Sequence, residues 1–174
     1  MNSVEIVKQQ VSESLDKNRY LDCDKVITYL IEANKVFVTG KGRSGLVAKY
    51  FVNRLVHFGF QAHSLDEIST PASSEKDVLF IISGSGETGS LIYQAKVAQK
   101  IGLKIIVLTY SKQSTLVHLA DDVMLVEPIE VNLQPMGTIF EQTSILLTDA
   151  LVLDLMKQLN ETSDSMQRRH ANLE

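Results

Sequence analysis

From the amino terminus, apolar positions first recur at helical intervals. Val4, Val7, Val11 and Leu15 are spaced three or four residues apart, which predicts a helix over 3–19. A second helix is predicted from Asp22, as its N-cap, to Ala33. The pattern then changes. Lys35–Thr39 (KVFVT) is a short β-branched run that ends against a glycine and predicts a buried strand. Runs at Gln61–Leu65, Asp77–Ile82, Lys104–Thr109 and Val123–Val126 predict four more. Helical patterns at 44–58, 88–101 and 114–120 lie between them. A long amphipathic helix fits 136–159, with a short helix and tail after it.

Strands alternating with helices imply right-handed crossovers and a parallel sheet, and near-continuous apolar strands imply cover on both faces. The expected fold class is α/β, a three-layer αβα arrangement with a flavodoxin-like strand order 2-1-3-4-5. One domain is expected over 1–174, with N-terminal helices at 1–34, an α/β core at 35–130 and a last helix and tail at 131–174. In such a sheet, ligands bind beyond the carboxyl ends of the strands, near the point where strand order reverses.

Composition narrows the classes. Apolar residues are 44% and charged residues 22% of the chain, an ordinary globular balance. The net charge of −4 comes without a basic stripe, which argues against nucleic acid as a partner. The single cysteine, Cys23, cannot form an internal disulfide, and in a helix it is expected to be a buried structural thiol. MNSVEIVKQQ lacks the apolar run of a signal peptide, and no stretch approaches the ~18 apolar residues of a membrane span. These features predict a cytoplasmic protein without a membrane partner.

Two junctions carry candidate chemistry. The first strand runs into Gly40-Lys41-Gly42-Arg43-Ser44-Gly45 and a helix follows. Glycines permit tight turns, and a helix start offers unpaired N–H groups to an anion. The spacing also fits a dinucleotide fingerprint with Asp66 about 20 residues on, so this loop alone leaves a Rossmann reading open. The second junction is Ser83-Gly84-Ser85-Gly86-Glu87-Thr88, again opening a helix. Its hydroxyls donate to phosphate oxygens without adding charge. Ser85 or Thr88 as a simple helix cap is the plainer alternative. A second loop of this kind is not needed by a dinucleotide fold. Lys41, Arg43, Lys49 and Arg54 add local positive charge that suits an anionic ligand.

GKGRSG followed by ISGSGET resembles the SIS (sugar isomerase) domain family, and the resemblance runs from about Val36 to Glu174. RLVHFGF (Arg54–Phe60), DEISTP (Asp66–Pro71), QPMGTIFEQ (Gln134–Gln142) and the terminal RHANLE (Arg169–Glu174) are similar to the 6-phospho-3-hexuloisomerase branch of that family. The resemblance implies conversion of 3-hexulose 6-phosphate to fructose 6-phosphate through a cis-enediol, within the ribulose monophosphate route of formaldehyde fixation. It implies no metal or redox cofactor, and a homotetramer whose sites are shared between subunits. Other phosphosugar isomerases and non-catalytic sugar-phosphate sensors of the same family are the competing readings. Sensors in regulators usually carry an N-terminal DNA-binding domain, and only about 34 residues precede the first strand.

Such a reaction needs a base with a pKa near the working pH. Glu141 is the first candidate, at the start of the last long helix. Thr138-x-x-Glu141 also reads as a capping box, in which the helix start would lower the Glu141 pKa. Arg54 and His57 share a face of the helix after the first loop. His57 is either catalytic or a C-terminal partner of the helix dipole. By resemblance, His57 lies near the position of a catalytic carboxylate in the isomerase domain of glucosamine-6-phosphate synthase. His170 resembles a terminal histidine of arabinose-5-phosphate isomerases that reaches a neighbouring site, as proton shuttle or ring-opener. Glu67, Gly42, Arg43, Ser44, Ser83, Gly84, Ser85, Gly86, Glu87, Thr88 and Arg54 complete the expected substrate contacts. His63 and His118 are read as structural.

Overall fold

The computed structural model describes residues 1–172 of the chain. The strands are β1 (Val36–Gly40), β2 (Ala62–Ser64), β3 (Val78–Ile82), β4 (Lys104–Thr109) and β5 (Asp122–Leu125). They pair in parallel in the order β2-β1-β3-β4-β5, the order expected from the sequence. The helices are α1 (Ser3–Asn18), α2 (Asp24–Glu32), α3 (Arg43–Phe58), α4 (Gly89–Ile101), α5 (Thr115–Leu119), α6 (Thr138–Leu159) and α7 (Ser163–Gln167).

Alternation along the strands builds two cores. Val36, Val38, Phe80, Ile82, Ile106 and Leu108 face one side and pack with residues of α2, α3 and α6. Phe37, Leu79, Ile81, Ile105 and Val107 face the other side, under α4 and α5. β1 and β3 are buried along their whole length, so they read as continuous apolar runs. Phe80 and Phe51 are fully buried and meet at 5.0 Å in a tilted pair that fastens α3 to the sheet. Buried Asp77 ties the lower ends of two strands together. Its carboxylate accepts from the Lys35 N–H at 3.1 Å and the Ser74 N–H at 2.6 Å, and it pairs with Lys35 Nζ at 3.3 Å.

Two expectations change at the amino end. The second helix begins at Asp24 with Cys23 as its N-cap, while Asp22 Oδ1 accepts from the Asp24 N–H at 3.0 Å in a local turn. Cys23 is therefore half-buried at the cap and not inside the helix. Burial, with nearby carboxylates, pushes its thiol up to about 11, which leaves it unreactive. The second change is the orientation of α1. Its buried residues are polar: Gln10, Ser14 and Asn18. Gln10 Nε2 donates to the Val131 carbonyl at 2.7 Å, Ser14 and Thr143 share a hydroxyl hydrogen bond at 2.7 Å, and Asn18 Nδ2 donates to the Glu127 carbonyl at 3.2 Å. Val4 and Val7 of the apolar stripe stay exposed. Among the described residues, no helix is long and apolar enough to cross a membrane.

Replacing Phe80 by Ala removes a fully buried ring from the centre of the larger core. It is expected to lower the unfolding free energy by about 3–5 kcal/mol in urea titration, with native circular dichroism retained at zero denaturant.

Candidate active site

In the β1–β3 register Gly40 lies opposite Ile82, so both glycine-rich loops leave the sheet at the same level, side by side. The chain then turns outward in opposite senses, toward β2 from one loop and β4 from the other. This is the switch point of the sheet.

The first loop is set by close backbone approach. A side chain at Gly40 would lie 2.6 Å from the Ser44 carbonyl oxygen, so only glycine fits that turn. Gly42 is the N-cap of α3 and supplies no capping side chain, which leaves the first N–H groups of the helix available. Arg43 and Ser44 stand in that first turn. Lys41 Nζ bonds Asp66 Oδ1 at 2.8 Å and draws the segment after β2, including exposed Glu67, alongside the loop. Lys49 is exposed one turn further along α3.

The second loop is braced by its neighbours. Buried Ser83 accepts from the Gly86 N–H at 3.2 Å, and exposed Ser85 accepts from the Glu87 N–H at 3.2 Å. Thr109 Oγ1 and the Tyr110 N–H both donate to the Gly84 carbonyl, at 3.1 and 3.3 Å. Gly86 has φ +68, and a side chain there would collide with Ser114. Thr88 occupies the N-cap of α4 but makes no side-chain capping bond, so its hydroxyl is not consumed by the helix. Glu87 departs from expectation. It accepts from the Thr115 N–H at 2.6 Å and from Thr115 Oγ1 at 2.8 Å, which also lower its pKa, and so it acts as a brace between the loop and α5.

Glu141 joins the two loops. Its Oε2 lies 3.3 Å from Arg43 Nη2, and Arg43 Nη1 donates to Thr138 Oγ1 at 3.2 Å. The preceding residue, Phe140, packs on Gly84. The capping box does not form. The N-cap of α6 is Gly137, and Thr138 Oγ1 donates instead to the Pro135 carbonyl at 2.6 Å. The expected depression of the Glu141 pKa is also reversed. Burial raises it, and the opposing Arg43 charge only partly offsets that. Oε2 is shielded from solvent and, although it is ion-paired, has no partner with hydrogen-bond geometry among the described residues. Met136, just before α6, holds φ +54, an unusual conformation for a residue with a side chain.

The two histidines come together elsewhere. His57 and His170 stack at 4.8 Å in a cavity of about 460 Å³ lined also by Arg54, Asp149, Met166 and Gln167. Arg54 Nε donates to Asp149 Oδ1 at 3.1 Å, and the Tyr50 hydroxyl donates to Asp149 Oδ2 at 2.7 Å. Arg169 pairs with Glu161 at 2.9 Å and fixes the tail near the end of α3. Leu173 and Glu174 of the terminal motif lie outside the described residues. Arg43 and His57 are 14 positions apart on one helix, about 20 Å. Within one chain, therefore, His57, His170 and Arg54 do not join Glu141 and the loops. His63 lies tilted against Phe37 at 5.7 Å, and His118 Nδ1 bonds the Ser114 carbonyl at 2.6 Å, both structural contacts. Tyr110 and Asp149 carry no local sequence signal, whereas the four-residue spacing of Tyr50 and Arg54 on a helix marks part of that cluster. Among the described residues, no group of three or more His, Cys, Asp or Glu is arranged to hold a metal ion.

Two adjoining glycine- and serine-rich loops at the switch point, with a carboxylate beside them, define an α/β domain suited to a phosphorylated ligand. Residues 29–153 match the SIS domain, and the chain belongs to that family. It is 37% identical to a Bacillus subtilis 3-hexulose-6-phosphate isomerase, over the full length of both chains. It is 35% identical to a 3-hexulose-6-phosphate isomerase of Methanocaldococcus jannaschii, covering 99% of this chain and 93% of the other. A crystal structure of a Methanococcus jannaschii protein, from which a molecular function of 3-hexulose-6-phosphate isomerase was inferred, superposes with a TM-score of 0.89 at 34% identity over all of both chains.

The Glu141 balance is directly measurable. In carboxyl ¹³C NMR titration, Glu141 is expected to titrate above the ordinary glutamate value. Arg43→Met removes the charge that holds it down and moves that titration further up. An unchanged midpoint in the variant would show that the ion pair has no influence on the carboxylate.

Proposed function

We propose that the chain interconverts 3-hexulose 6-phosphate and fructose 6-phosphate through a cis-enediol, as the second step of the ribulose monophosphate route of formaldehyde fixation in the cytoplasm. The observation that carries this reading is the half-buried Glu141 carboxylate with a raised pKa, next to two loops suited to phosphate. The similarity to named 3-hexulose-6-phosphate isomerases supports the choice of substrate.

Phosphate binds the N–H groups at Gly42 and Ser44 and the hydroxyls of Ser83, Ser85 and Thr88, with Arg43 adding charge. Glu141 removes the proton from C2. The electron pair of that bond forms the C2=C3 double bond, and the C3 carbonyl pair moves onto O3. A proton passes from O2 to O3, the C2 carbonyl forms, and Glu141 returns its proton to C3. The substrate ketone cannot close a five-membered ring because O6 carries phosphate, so it enters open. A ring-opening acid is needed only for fructose 6-phosphate.

The histidine cavity completes the site from a second copy, in a homotetramer with shared sites. Two features support this. His57 and His170 lie about 20 Å from the Glu141 end of their own α3. The apolar stripe of α1 has no cover within the chain at Val4 and Val7.

Purified protein given 3-hexulose 6-phosphate is expected to yield fructose 6-phosphate. Glu141→Gln lowers kcat by about 10²–10⁴-fold while fructose 6-phosphate still binds. No turnover by the wild type on this substrate would sink the reading, and a bound phosphosugar would then indicate a sensor. For the shared site, inactive Glu141→Gln and His57→Ala chains refolded together should regain turnover. Mixtures as inactive as their components would assign both residues to one chain. Sedimentation of Val7→Glu should shift toward smaller species.

A further inference from the structure

Tyr110 follows β4 at the carboxyl edge of the sheet, where the second loop and α6 meet. Its N–H donates to the Gly84 carbonyl at 3.3 Å, which pins its backbone to the loop. Its ring crosses Phe140 at 4.8 Å and 58°, and Phe140 is the neighbour of Glu141. The side chain is half-buried, and among the described residues its hydroxyl makes no hydrogen bond. A half-buried phenol usually finds a partner for its O–H. Here the neighbours that fix the ring leave the hydroxyl as a spare donor, near enough to Glu141 for its charge to act on the phenol.

We propose that the Tyr110 hydroxyl is a further catalytic group of this site, donating a hydrogen bond to the substrate carbonyl oxygen as the enediolate forms. The proposal rests on the isomerase reading above. When Glu141 takes the C2 proton, the C3 carbonyl pair moves onto O3. A donor aimed at that oxygen stabilises the charge where it develops and does little for the ground state. The phenol suits the task. Burial and the Glu141 charge both raise its pKa, so it keeps its proton through neutral pH. Arg43 pairs with Glu141, and in the proposed complex it and the loop hydroxyls serve the phosphate, which leaves the Tyr110 hydroxyl for the carbonyl. In the reverse direction Glu141 removes the C3 proton of fructose 6-phosphate and the charge develops on O2; O2 and O3 lie side by side in the cis-enediol, so the same hydroxyl serves either oxygen.

Tyr110→Phe keeps the ring on Phe140 and deletes only the donor. It is expected to lower kcat by about 10²-fold, with KM and the dissociation constant of fructose 6-phosphate within about twofold of wild type. Deuterium entry at C3 of fructose 6-phosphate in D₂O, which reports proton abstraction without net turnover, should slow by a similar factor. A merely structural role would weaken binding or stability together with rate. Wild-type kcat and exchange in Tyr110→Phe, or a rise in KM alone, would overturn the role of Tyr110 and leave the isomerase reading intact. A wild type that neither turns over 3-hexulose 6-phosphate nor exchanges C3 would overturn both.

Discussion

The site depends on the hydrogen-bonded register between the two central strands. With Gly40 opposite Ile82, the loops that follow emerge at one height and one strand spacing apart. A slip of one residue would turn every core side chain to the other face, and both faces here are filled by large apolar groups. The register is thus fixed by packing, and the packing fixes where an anion can sit. Asp77 adds a second constraint at the opposite end, holding the chain before β1 to the chain before β3.

Around that frame, the loops are held by contacts from outside themselves. The end of β4 supplies Thr109 and Tyr110 to the Gly84 carbonyl, and α5 supplies Thr115 to Glu87. Gly86 admits Ser114 only because it has no side chain. The loop is therefore rigid before any ligand arrives, which limits the entropy lost on binding. Glu141 has the opposite character. Burial raises its pKa, while its ion-pair partner Arg43 stands at the start of α3 beside the first loop. In the proposed reaction, a phosphate that attracts Arg43 would loosen its hold on Glu141 and couple substrate binding to the strength of the base.

The α1 helix shows how polar contacts can override an apolar pattern. Its valines fit a stripe that a monomer would bury. Gln10, Ser14 and Asn18 instead find partners in the 127–131 segment and on α6. Buried polar groups are costly only when unpaired, and the side-chain nitrogens of Gln10 and Asn18 and the Ser14 hydroxyl are paired here. In the proposed assembly, the outward valines and the remote histidine cavity belong to one arrangement, in which a second copy covers the first and completes its site with the second.

The α/β alternation, the strand order and the two loops are legible in the chain alone, because they follow from local periodicity and from where glycine interrupts it. Element limits agree to within two residues, with the largest differences at the start of the second helix and of α6. The sequence also contains Glu141, but not its state. Thr138 and Glu141 have the spacing of a capping box, and only the approach of Gly137, Pro135 and Arg43 decides that the box stays open and the carboxylate is raised. Glu87 reads as a ligand contact in a serine-rich loop, yet a residue 28 positions away claims it. His57 and His170 are 113 positions apart, and Tyr110 is 31 positions before Glu141. Their pairings are long-range contacts, which depend on how helices and loops settle on the sheet and leave no mark on local spacing.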